Sequence, residues 1–156
     1  MITGQIIGGA QVQKNILGLA PSIKSQLKVT VQRLTLELLT KVKAEKLSGQ
    51  VLRVRTGRLR RSITYDIIET PTEIGGVVGT NVSYAKAHEF GFTGVVSVRA
   101  HLRAAKDGAA HSVVGHSRRV NLPERSFLRS SLKEMDGKIR HEIELTLNNV
   151  ARGFNK

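Results

Sequence analysis

"TYDIIETPTEIGGVVGT", residues 64–80, reads as two short strands folded about Pro71 and Thr72. Strands so close in sequence, joined by so short a turn, pair antiparallel. Helical patterns flank them on both sides, so the class that follows is α+β. On the N-terminal side, Ile23, Leu27, Val31, Leu34, Leu38, Val42 and, less regularly, Leu47 recur at steps of three to five. That spacing predicts one apolar stripe on a helix over 22–47, about 40 Å long. Pro21 suits its entrance and Gly49 its stop, which leaves residues 1–20 as a flexible lead-in.

Between that helix and the strands, "RTGRLRRSI" (55–63) predicts a short helix with Thr56 as its N-cap. Beyond the strands, "SYAKAHEFG" (83–91) is a short helical turn closed by Gly91. "SVRAHLRAA" (97–105) and "SVVGHSRRV" (112–120) echo one another around "KDG" at 106–108 and read as a long basic β-hairpin over 95–122. Pro123 ends it. Phe127, Leu128, Leu132, Met135, Ile139, Ile143, Leu147 and Val150 then form a second helical stripe to the C-terminus. The expected architecture is a long N-terminal helix, an antiparallel sheet of about four strands with an extended basic β-hairpin, a short helix and a C-terminal helix. Residues 21–156 make one domain, from which 95–122 projects.

A formal charge of +13 favours polyanionic or acidic partners and opposes self-association except through shielded or apolar faces. Aromatics are only 4% and Trp is absent, so the core must come from Leu, Ile, Val and Ala. The absence of cysteine excludes disulfides and thiolate chemistry. The N-terminus lacks a basic region and its apolar runs are interrupted, which argues against a signal peptide. No window reaches the roughly 18 apolar residues of a membrane span. The expectation is a soluble intracellular product without a membrane partner.

Catalytic patterns do not assemble. His88 precedes Glu89 but no HExxH is present, and His101, His111 and His116 have no zinc-site spacing. Asp66, Glu69, Glu73 and Glu89 are scattered, and no GxSxG elbow could activate a serine. "GGVVG" (75–79) precedes no P-loop Lys-Ser, and close packing of a strand explains it better than a phosphate cradle. The sequence predicts no enzyme, no metal, no cofactor and no small-molecule substrate.

Three motifs in order, "RTGRLRRSI", "VSYAKAHEFG" (82–91) and "VNLPERSFLRSSL" (120–132), resemble the neck proteins of long-tailed bacteriophages. These are the tail-completion or head–tail joining proteins, also called minor tail or virion morphogenesis proteins. The resemblance covers residues 20–150. "PERSF" departs from it, since many relatives carry a smaller residue and a second proline there. What the resemblance implies is an α+β subunit of a homo-oligomeric ring, a hexamer, at the neck of the virion. Its neighbours would be the head connector or adaptor and the tail tube or tail terminator. DNA would pass through the lumen, and assembly would take place in the host cytoplasm. The family brings no catalytic residue with it.

Within those motifs, Tyr84, Phe90, Gly91, Phe127 and Leu128 are expected to anchor the fold. Arg53, Arg55, Arg58, Arg60 and Arg61 have three readings: a solvated face, contact with an acidic ring or subunit, or a grip on DNA. A grip would hinder sliding as each phosphate is neutralised, which favours protein contact over DNA. Arg99, Arg103, Arg118 and Arg119 make the hairpin too basic for a core and suit the same kinds of contact. The competing function is a non-specific nucleic-acid-binding protein, which the charge supports and the lack of stacking aromatics opposes. A small nuclease using His88 and Glu89 has only their adjacency behind it.

Overall fold

A computed structural model describes residues 9–104, 108 and 110–153, with side chains from residue 21 onward. The helices are α1 (Gly9–Lys41), α2 (Arg58–Ser62), α3 (Ala85–Phe90) and α4 (Leu128–Gly153). The strands are β1 (Thr64–Glu69), β2 (Ile74–Gly79), β3 (Phe92–Val98), β4 (His101–Ala104), β5 (Ala110–Val113) and β6 (His116–Leu122). The α+β class is borne out. Among the described residues the strands form three antiparallel pairs, β1–β2, β3–β6 and β4–β5, rather than one four-stranded sheet. The chain contacts gather into two compact units, one of residues up to 81 together with those from 127 onward, the other of residues 82–126.

In the first unit α1 packs on α4 and on the β1–β2 hairpin. The two helices run antiparallel. Thr30 meets Thr146 at 2.9 Å, Arg33 meets Glu142 at 2.6 Å, Glu37 meets Lys138, and Lys46 meets Glu134 at 2.5 Å. Partner numbers fall along α4 as they rise along α1. Leu34, Val42, Leu47, Leu52, Ile63, Phe127, Met135 and Val150 are buried in this unit.

Helix α1 does not start at Pro21, because its helical backbone already runs from Gly9. Proline's fixed φ is helical, and what it costs inside a helix is one hydrogen bond and crowding against the preceding turn. Pro21 is exposed, so that crowding falls on the solvent side. Of the expected lead-in, residues 9–20 are therefore helical, and residues 1–8 lie outside the described residues. The far end of the helix also departs from regular geometry. Residues Val42–Lys46 form a π-helical turn in which Leu47 N donates to Val42 O at 3.1 Å. Closing the turn over five residues adds one residue to it, so Val42 and Leu47 come round to the same side. Both are buried. The irregular step of five in the apolar stripe is this turn.

The β1–β2 register pairs Ile67 with Gly76 and Glu69 with Ile74. Its turn is closed by Thr70 N donating to Glu73 O at 2.8 Å and by Glu73 N donating to Thr70 Oγ1 at 2.9 Å. Glu69 lies 2.7 Å from Lys28 Nζ and 3.3 Å from Lys24 Nζ, tying the hairpin to α1.

In the second unit, the hairpin is longer than the sequence echo suggests. Pairing begins at Phe92↔Leu122, runs to Val98↔His116, breaks, and resumes from His101↔Val113 to Ala104↔Ala110. The echo marks the two breaks. His101 Nδ1 lies 2.9 Å from Arg99 O, and His116 Nδ1 lies 2.9 Å from Val114 O, so each strand bends through the same local bond. Of the "KDG" turn, Gly108 is described, while Lys106 and Asp107 lie outside the described residues.

Candidate functional site

The arginine segment is pinned at both ends and bonded to itself between them. Leu52, buried, donates its N–H to Lys46 O at 3.2 Å, and Ile63 is buried at the exit of α2. The N-cap of α2 is Gly57 rather than Thr56. Gly57 has φ 69°, a left-handed conformation that a side chain would strain, and it lets the chain reverse directly into the helix. Thr56 Oγ1 still accepts a long bond of 3.4 Å from Arg58 N. Arg61 folds back so that its guanidinium donates to Thr56 O at 3.1 Å. Ser62 Oγ, 2.7 Å from Thr80 Oγ1, links the segment to the end of β2. Arg53, Arg55, Arg58, Arg60 and Arg61 are all exposed. Among the described residues none of them pairs with a carboxylate.

The second basic surface is the ribbon. Arg99, Arg103, Arg118 and Arg119 are exposed, and the register sets Arg119 opposite Val95, Arg118 opposite Val96 and Arg103 opposite His111. Partners across a pair share a face, so the Val95 and Val96 rungs each set an apolar side chain beside a guanidinium. At the root of the ribbon the Phe92 ring covers Gly94, and Thr93 Oγ1 donates to Asn121 Oδ1 at 2.9 Å.

The residues expected as anchors separate. Phe127 has no exposed surface and Leu128 is half-buried, whereas Tyr84 and Phe90 are 40% and 55% exposed. Tyr84 stands edge-on to His88, with ring centroids 6.0 Å apart. Gly91, at φ 75°, turns the chain out of α3 where the backbone of Leu122 and Glu124 passes within about 3 Å of any added Cβ.

The burial of Glu89 is not evident in the sequence, where it reads as a scattered acid next to His88. Glu89 is 4% exposed and accepts a hydrogen bond from Ser126 Oγ at 2.8 Å, beside Arg125 N donating to His88 O at 2.8 Å. Its signal was helical spacing: Ala85 and Glu89, four apart on α3, are both buried. The carboxylate ties the segment after β6 to α3, which is a structural task.

Among the described residues no three His, Cys, Asp or Glu side chains lie together as a metal site would need. A shallow groove of about 650 Å³ in the first unit is lined mainly by Ile23, Leu27, Val31, Ile74 and Ile143, with Lys24 and Glu73 at its margin. No helix among the described residues is long and apolar enough to cross a membrane.

The described residues thus form an α+β fold that displays cations on a pinned loop and a two-stranded ribbon. The phage virion morphogenesis family matches residues 35–149, and the chain belongs to that family. The matched span takes in the arginine segment, the ribbon and most of α4. The chain thus has a structural, morphogenetic role in a phage and is associated with the virion. Neither the curated proteins nor the solved structures hold a significant match to it.

Proposed function

We propose that this chain is a ring subunit of the phage neck, joining or completing the tail at the head–tail interface, and that it acts by contact rather than catalysis. The observation that carries the reading is the display of exposed arginines, without carboxylate partners among the described residues, on both the 53–61 segment and the ribbon of a virion morphogenesis protein. Guanidinium groups held in the open are suited to planar acidic groups on a neighbour. The partners on this reading are further copies of the chain in a hexameric ring, the head connector or adaptor, and the tail tube or terminator, with DNA passing through the lumen. The test is a phage lacking the gene, viewed by electron microscopy and complemented with the intact chain. DNA-filled heads beside unjoined tails, restored to joined particles by complementation, are expected. Joined, infectious particles without the gene would overturn the reading, as would cleavage of duplex DNA by the purified protein in the case of its non-catalytic part.

A further inference from the structure

At least six carboxylates of this chain stand in ion pairs within it. Among the described residues, Glu37 pairs with Lys138, Glu45 with Lys41, Glu69 with Lys24 and Lys28, Glu134 with Lys41 and Lys46, Asp136 with Arg140, and Glu142 with Arg33. These pairs belong to the helix-rich first unit, and lysines supply most of the cations. The ribbon arginines of the second unit have no such partner among the described residues. In the first unit lysines, with Arg33 and Arg140 beside them, pair with the carboxylates, whereas the ribbon arginines stay exposed.

The ribbon also displays apolar surface beside its charge. Val95 is 65% exposed and faces the same way as Arg119, while Val96, opposite Arg118, points to the other face. Leu102, farther along, is 73% exposed. Phosphate offers a guanidinium its partner but offers a valine nothing. Apolar side chains interleaved with cations match a protein surface whose apolar centre is ringed by acids. A second copy of this chain is a poor occupant, because it carries the same +13 and six of its carboxylates already stand in internal pairs.

We infer that the β3–β6 ribbon inserts into an acidic, apolar-floored cleft of a different virion protein, with Val95 and Arg119 meeting one wall and Val96 and Arg118 the other. This rests on the neck reading and names the chemistry of one partner within it.

The test uses the full-length chain to complement a phage lacking the gene. An Arg118→Glu, Arg119→Glu variant that keeps the wild-type circular dichroism and melting temperature should yield at least about a hundredfold fewer infectious particles, the scale expected when buried charge pairs are reversed. Selected revertants should carry Asp or Glu replaced by a neutral or basic residue in another virion protein. A Val95→Ser, Val96→Ser variant, which keeps both arginines, should also lose particles. If the double Glu variant does not fold, Arg118→Gln, Arg119→Gln enters the same selection. Wild-type yield from the arginine variants would overturn the inference. Revertants that alter acids of this chain would overturn it in favour of a second copy. Full activity of the valine variant alongside loss in the arginine variant would overturn it in favour of nucleic acid. Deletion of the gene separates the two claims: if deletion is harmless the neck reading fails, and if deletion is lethal while all variants are active only this inference fails.

Discussion

Gly76 marks the point where β2 comes closest to α1. A Cβ there would fall within the Thr35 side chain, whose Cβ and Cγ2 lie 3.0 and 3.1 Å from its position. Thr35 cannot readily turn away, being buried with its Oγ1 donating to Val31 O at 2.6 Å. Gly76→Ala should therefore destabilise the protein by about 1–3 kcal/mol, the usual cost of overfilling a packed contact. A shift of the urea midpoint measures it, and adding Thr35→Ala should recover part of the loss. An unshifted midpoint would show that the strand yields freely. Phe127, with no exposed surface, should cost about 3–5 kcal/mol when truncated to alanine. At this scale the glycine in "GGVVG" was legible as close packing, but its partner, 41 positions away (76 − 35), was not.

Between elements, α1 is joined to the hairpin and to α4 by carboxylates whose charge the fold stabilises. Lys28, and after it Lys24, hold Glu69 below the ordinary carboxylate range, and Lys46 followed by Lys41 does the same for Glu134. A carboxylate with a lowered folded pKa contributes stability that is complete above its unfolded value and is lost as pH falls through the folded one. The melting temperature should accordingly fall on acidification below the ordinary carboxylate range, and Glu134→Gln should fall less over the same interval. Equal falls in the two proteins would show that the Glu134 pairs contribute nothing, as exposed pairs sometimes do. The Lys41 ammonium is pushed the other way, above its ordinary value, by the hydrogen bonds it donates to Glu45 and Glu134. Its contribution is complete below the ordinary lysine value and is lost only as pH rises through the still higher folded one.

For the molecule as a whole, the first unit holds its own buried set, including Leu34, Val42, Ile63, Phe127 and Met135, all outside the ribbon. Replacing residues 97–121 by a short Gly-Ser turn should leave a cooperatively unfolding protein that no longer supports joined particles. Loss of the cooperative transition would show instead that the ribbon is part of the core. The excess charge makes a second prediction. Binding to free duplex DNA should be indifferent to sequence and should weaken on the order of a thousandfold between about 50 and about 200 mM salt, for roughly six neutralised phosphates. Titration with two unrelated duplexes reads it, and tight binding to one of them at high salt would be the contrary result.

The order and type of the elements, and the family, were legible in the sequence because they rest on near neighbours: apolar residues three and four apart, the Pro71 turn, the Gly91 exit and the echo at the ribbon's breaks. What required tertiary contacts was everything decided by distant residues. Helix α1 runs through Pro21 although the proline reads as an entrance. The strands divide into three pairs, Phe90 stays exposed although it is aromatic, and Glu89 is buried although it is charged. Above all, which cations are engaged and which are displayed depends on partners such as Lys46 and Glu134, 88 residues apart, or Arg33 and Glu142, 109 apart. Composition sums the charges of a chain, but only the packing of α1 on α4 and β1 decides which cations are paired, mostly lysines with Arg33 among them, and which arginines stay exposed.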